Sequence, residues 1–132
     1  MSDVAGMAHI RSGEWGARDY WEKRISGYLN CELHPQQALM PRVGYVALAG
    51  DSVVGFIAGH LTRRYACDGE LEWINVIPEH RGTGVASVLI CLLAAWFAGQ
   101  KAPKVCVNVA PENAAATRFY VRHGAGRLNQ HW

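Results

Sequence analysis

Gly82 and Gly84 follow Arg81 at the point where a β-branched run ending in Val76-Ile77 meets Pro78 and gives way to an apolar segment from Val85. A helix beginning there leaves its first backbone N–H groups unpaired and carries partial positive charge, and glycines let a ligand approach the main chain, so the chemistry is phosphate binding. Spacing excludes two familiar phosphate loops. The P-loop needs Lys after its last Gly, where this chain has Val85, and the dinucleotide fingerprint needs a third Gly where Ser87 stands, in an early βαβ unit. A second set of residues, Asn113 and Tyr120, lies seven positions apart near the C-terminus, hence near one helix face two turns on.

The stretch Val76-x-Pro78-x-x-Arg81-Gly82-x-Gly84-x-Ala86 resembles the acetyl-CoA-binding motif of the GNAT (Gcn5-related) N-acetyltransferase superfamily, Gln/Arg-x-x-Gly-x-Gly/Ala. Asn113 to Tyr120, followed by Gly124, is similar to that family's Asn-x-x-Ala-x-x-Phe/Leu-Tyr-x-x-x-Gly signature. The two motifs stand in the family's order, and the resemblance extends over residues 7 to 132. It implies acetyl-CoA as co-substrate and a primary amine of a small molecule or peptide as acceptor. It also implies a splayed strand whose Ile74, Asn75 and Val76 backbone meets the pantetheine arm, with the Val76 N–H toward the thioester oxygen. The amides of Gly82, Thr83, Gly84, Val85, Ala86 and Ser87 would cradle the pyrophosphate, with Arg81 at the loop's edge. Tyr120 matches the tyrosine that protonates the departing thiolate, and Asn113 the amide that contacts the pantetheine region.

The base is carried less directly by the motifs. Strict alternation puts Glu70 and Glu72 on one strand face with Ile74 and Val76, and Glu72 is the better placed to take the ammonium proton, directly or through water. Asn108 stands where relatives that acetylate protein N-termini carry a Glu, and an amide cannot serve as base, which adds weight to Glu72 or bulk water. His80 reads as a loop residue beside the phosphates. Trp15, Trp21, Tyr28 and Trp73 are candidates to line an apolar acceptor pocket, although helical spacing explains Trp21 as core.

These residues need a scaffold, and the sequence predicts a mixed α/β one. Met7 to Arg11 reads as a short first strand, Glu14 to Leu29 as an amphipathic helix, and Gln36 to Met40 as a short helix ended by Pro41. Val43 to Leu61 reads as a β-hairpin turning at Gly50-Asp51, and Glu70 to Ile77 as the strand feeding the glycine loop. A helix over Gly84 to Ala98, a buried strand over Lys104 to Val109, a helix over Glu112 to His123 and a last strand over Arg127 to Trp132 complete the order. This β-α-α-β-β-β-α-β-α-β series predicts an antiparallel meander followed by a β-α-β crossover, in agreement with a GNAT fold whose last strand is short or missing.

A length of 132 residues suits one domain, read as residues 1–132, and half the residues are apolar or aromatic, enough for one core. Thirteen basic residues against 11 acidic ones, interspersed, leave a net charge of +2 and no electrostatic footprint for nucleic acid. Arg63-Arg64 reads as a solvated strand end. Cys31, Cys67, Cys91 and Cys106 lack metal-site spacing, so no metal is expected; they read as reduced thiols, with Cys91 and Cys106 as small core residues. The start lacks a signal-peptide pattern, and the most apolar run, Val85 to Ala98, is too short to cross a bilayer, so a cytoplasmic protein without membrane contact is expected. The sheet edge at the C-terminus points to a homodimer. The competing function is a catalytically weak or inactive coenzyme A-binding regulatory module on the same fold.

Overall fold

The computed structural model describes residues 3–15, 17–35, 38–110 and 112–126. Two helices, α1 (Asp3–Trp15) and α2 (Arg18–Leu29), precede strands β1 (Ala38–Ala49), β2 (Ser52–Thr62) and β3 (Gly69–Val76). Helix α3 (Val85–Gly99), strand β4 (Val105–Val107) and helix α4 (Ala114–Arg122) follow. The strands lie side by side in chain order, antiparallel from β1 to β3, with β4 parallel to β3 after the α3 crossover. The expected mixed, mostly antiparallel sheet flanked by helices is what the chain forms.

Alternation along β2 divides the core. Phe56 and Ala58 pack with Met7, Ile10, Trp21, Ile25 and Tyr28 of α1 and α2, whereas Ile57 packs with Leu89, Leu93 and Phe97 of α3. Apolar side chains on both faces of one strand explain why Val53 to Leu61 reads as a continuous hydrophobic run. Gly69 at the start of β3 permits α3 to sit this close: a Cβ there would lie 2.3 Å from the Phe97 ring. Gly69→Ala should therefore destabilise the protein by about 1–3 kcal/mol through overpacking, read as a lower melting temperature.

The N-terminal third departs from expectation in three places. Met7 to Arg11 is helical, because Val4, Met7 and Ala8 repeat at three- and four-residue spacing and all pack against the sheet, a period hidden in a five-residue window. The expected helix over Glu14 to Leu29 divides: Glu14 and Trp15 close α1, and α2 begins at Arg18. Residues 38–40, expected in a helix, open β1, and Pro41 sits inside that strand rather than ending an element. Pro41 falls at a register shift between Leu39 and Arg42 on an edge strand, where no ladder N–H is required of it. Gln36, Gln37 and the expected strand Arg127–Trp132 lie outside the described residues.

Elsewhere the boundaries tighten. Strand β4 spans Val105–Val107 only, and α4 starts at Ala114 with Asn113 as its N-cap. Cys106 is buried as expected, and burial together with neighbouring Cys67 pushes its thiol up to about 12, but Cys91 is exposed on α3 rather than in the core. Arg64 does more than end a strand, since its Nη1 donates to Glu70 Oε2 at 3.4 Å. Among the described residues no helix is long and apolar enough to cross a membrane.

Candidate active site

Strand β3 pairs with β4 through Gly69, Glu70 and Leu71 only. Beyond Leu71 the two parallel strands share no further pairing among the described residues, so the β4-side edge of Glu72 to Val76 is open. A cavity of about 620 Å³ runs along this opening and is lined by Ile74, Asn75 and Val76, by the loop that follows, and by α4.

The loop gets its shape from Pro78 to Gly84. A single 3₁₀ turn over Pro78–His80 leads to extended Arg81, and Gly82 and Gly84 take left-handed φ values of +79° and +89°. Side chains rarely adopt these angles, and a Cβ at either glycine would meet nothing within 4 Å, so the space before the α3 N-terminus is open. Gly84 is the N-cap and offers no side chain to the first N–H groups of α3. Unpaired N–H groups at a helix start, with open space before them, suit an anion. Among the described residues the lining side chains include His80, Arg81 and Arg122 and no carboxylate. Arg81 turns back, its Nε donating to the Val76 carbonyl at 3.0 Å, which ties the loop to the end of β3.

Helix α4 closes the other side. Asn113 Oδ1 accepts from the Ala116 N–H at 3.1 Å, so this amide caps the helix as well as lining the cavity. Asn113→Ala should cost about 1 kcal/mol of stability, a fall of about 3–5 °C in melting temperature, while Asn113→Asp keeps the cap. Tyr120 places its ring in the α3-side core and is 8% exposed. Burial pushes its phenol up to about 12, with the Arg11 charge pulling the other way, so the hydroxyl keeps its proton through the neutral range.

Of the residues expected to meet the cofactor, Ile74, Asn75, Val76, Arg81, Gly82, Gly84, Ala86, Ser87, Asn113 and Tyr120 line this one cavity. Thr83 and Val85 do not. The Thr83 hydroxyl donates to the His80 carbonyl and shapes the turn, and the Val85 side chain packs into the α3-side core. Asn75 is further held by Arg11 of α1, whose Nη1 donates to Asn75 Oδ1 at 2.6 Å. Sequence reasoning missed Ala115, Ala116, Phe119 and Arg122, which join the lining from α4. The signal was available: Ala116 lies one turn from both Asn113 and Tyr120, and Phe119 lies one turn from Ala116.

Glu72 stands elsewhere. Ala58 pairs with Trp73 and Gly59 with Leu71, so Glu72 is the extra residue of a β-bulge and strict alternation fails there. Glu70 and Glu72 consequently do not share a face with Ile74 and Val76, contrary to expectation. Glu70 and Trp73 point toward α2, while Leu71, Ile74 and Val76 pack on the α3 side. Half-buried Glu72 lines a separate cavity of about 190 Å³ with Arg24, Tyr28, His34 and Trp73. Its carboxyl is held above the usual range, chiefly by burial, with Glu70 adding to the effect and His60, Arg24 and Arg64 opposing it. Tyr28 and Trp73, expected in an apolar acceptor pocket, line this cavity beside charged and polar side chains; Trp21 is core, edge-on to Trp73 at 6.0 Å, and the Trp15 side chain lies outside the described residues.

Comparison with known proteins places these features in context. The family described as the Acetyltransferase (GNAT) family matches residues 6–125. Among curated proteins none matches this chain. The solved structure of AAC(6')-Iy in complex with the bisubstrate analogue CoA-S-monomethyl-acetylneamine has 20% identity and a TM-score of 0.77, over 96% of this chain and 86% of that one. The apo aminoglycoside 6'-N-acetyltransferase AAC(6')-IG from Acinetobacter haemolyticus has 17% identity and a TM-score of 0.78, over 98% and 90%. A ribosomal-protein-alanine N-acetyltransferase from Brucella melitensis has 19% identity and a TM-score of 0.68, over 95% and 86%. At these identities the likeness is one of fold.

Proposed function

Since the chain belongs to the acetyltransferase (GNAT) family, we propose that it is an acetyl-CoA-dependent N-acetyltransferase, moving the acetyl group directly to a primary amine of a small molecule or peptide. The observation that carries this reading is the single cavity that joins the open edge of β3, the left-handed glycines before α3 and the Tyr120 side chain. Acetyl-CoA, when bound, supplies the thioester carbonyl and a thiol leaving group.

The residues divide the work by position. The N–H groups of the first α3 turn, with Arg122 and His80 nearby, hold the pyrophosphate, and Gly82 and Gly84 keep side chains out of its way. Unpaired main-chain groups on the edge of β3 hold the pantetheine arm, and the Val76 N–H stabilises negative charge on the carbonyl oxygen. Tyr120 retains its proton and gives it to the departing sulfur. Glu72, on the α2 side of the same strand, takes the acceptor's ammonium proton, directly or through a water, so that the neutral amine attacks. The two cavities are lined by successive residues of β3, Glu72 and Trp73 in one and Ile74, Asn75 and Val76 in the other.

The test is titration of acetyl-CoA by calorimetry, followed by a screen of amines and peptides read by release of free thiol. Binding with amine-dependent thiol release supports the transferase. Binding with no turnover on any acceptor favours the inactive coenzyme A-binding module, and a folded protein that does not bind overturns both. The outer edge of β4 is unpaired among the described residues, and the reading for assembly is a homodimer that covers it; a monomer mass by light scattering at high concentration overturns that.

A further inference from the structure

His60 is fully buried on β2 opposite Glu70 of β3, yet a histidine is a costly core residue unless both ring nitrogens are satisfied. Both are. Nδ1 lies 2.7 Å from the Tyr28 hydroxyl and Nε2 lies 3.1 Å from Glu70 Oε1, and the second oxygen of Glu70 takes the bond from Arg64. A carboxylate oxygen on Nε2 is an acceptor, which sets a ring hydrogen there. The Tyr28 hydroxyl is both a donor and an acceptor, so it satisfies Nδ1 in either role. Directly beside this chain stands Glu72: one of its carboxylate oxygens, a His60 ring nitrogen and a Glu70 carboxylate oxygen all lie within 4.8 Å of one another.

We propose that His60 is a positioning residue for acetyl transfer, its ring held between Tyr28 and Glu70 so that it stands next to Glu72 and keeps that carboxylate in the anionic, proton-accepting form. The inference rests on the proposed function, in which Glu72 is the base. One proton moves, from the acceptor ammonium to a Glu72 oxygen and then to water in the adjoining cavity; His60 forms no bond to the acceptor.

The charges around Glu72 explain why it needs such a neighbour. Glu70 on the same strand repels its anion, and burial disfavours it further. Arg24 from α2, Arg64 from the turn after β2 and the His60 ring oppose this, His60 most strongly. His34 lines the same cavity, and Arg42, paired with His60 across β1, holds the Tyr28 and Leu33 carbonyls with Nη1. Arg42 also sits over the Tyr28 ring at 4.8 Å. Removing the ring leaves two neighbouring carboxylates with less compensating charge, so Glu72 takes up its proton at a higher pH.

The experiment follows the Glu72 side-chain carboxyl by carbon NMR as a function of pH in the wild type, His60→Gln and Tyr28→Phe, beside the pH profile of kcat/KM. The expected result is a Glu72 midpoint and an acid limb displaced upward by about one pH unit in His60→Gln. A smaller displacement in the same direction is expected in Tyr28→Phe, which keeps the ring but removes its hydroxyl partner. Tyr28→Phe is nearly isosteric and keeps the test open if His60→Gln fails to fold. A Glu72 midpoint unchanged in a folded variant overturns the inference whether or not the enzyme turns over. A displaced midpoint in a protein with no activity on any amine upholds the coupling and overturns the assigned function instead.

Discussion

Tyr120→Phe is expected to bind acetyl-CoA as the wild type does and to turn over about 100 to 10,000 times more slowly, the range that a positioned proton donor contributes. The substitution is close to a pure deletion of one hydroxyl. The ring packs among Leu89, Leu93 and Phe97 and would stay there in the variant, and the hydroxyl makes no hydrogen bond to a described residue, so little stability should be lost. The pH dependence has a defined sign. Burial pushes the phenol up to about 12, so Tyr120 is protonated across the neutral range and loses its proton only as the pH approaches that value. A loss of activity in the wild type near neutral pH would therefore belong to another group. Single-turnover rates with melting temperature and calorimetric affinity as controls decide the matter: an unchanged kcat at every pH removes Tyr120 from the reaction.

The second large effect is expected at Gly84. Gly84→Glu should weaken acetyl-CoA binding by at least about 100-fold, because a carboxylate is placed where phosphate must sit, and left-handed backbone strain of about 1–2 kcal/mol is taken from stability. The protein itself leaves room, because a Cβ at Gly84 meets nothing within 4 Å. The clash is with the ligand and not with the fold. A carboxylate at a helix N-terminus also interacts favourably with the helix dipole, by about 0.3–1 kcal/mol, which offsets part of the strain and helps the variant remain folded. Gly84→Ala carries the strain without the charge and should lose about 1–2 kcal/mol of stability while binding acetyl-CoA more tightly than Gly84→Glu does. Titration calorimetry on all three proteins separates the contributions, and wild-type affinity in Gly84→Glu would move the phosphate site away from α3.

The difference between what was legible in the sequence and what was not follows the range of the interactions. The loop is local: Gly82 and Gly84 adopt left-handed angles because of their own chemistry, and Asn113 caps α4 through a bond that reaches only three residues along the chain. Such features can be read from a dozen residues. Helix α1 could not, because its period shows only once Val4, Met7 and Ala8 are known to meet the same sheet face. His60 belongs with these. It follows Phe56 and Ala58 at alternate positions on β2, which marks it as inward-facing, but its partners Tyr28 and Glu70 are 32 and 10 residues away. Sequence alone gives a histidine on a core face; only the packing gives it a carboxylate on one side and a phenol on the other.

The extra residue in β3 also acts as a phase change in the strand, with consequences for how the chain tolerates insertion and deletion. Upstream of Glu72 odd-numbered residues meet α3, as Leu71 does, and downstream the even-numbered ones do, as Ile74 and Val76 do. Excising Glu72 itself would restore uniform alternation and leave Trp73 facing the aromatic cluster it shares with Trp21 and Tyr28, so the strand can lose that residue without changing which side chains meet which layer. Substitution at 72 removes the carboxylate and keeps the bulge, whereas deletion there removes both, so the two variants separate the charge from the backbone irregularity that carries it.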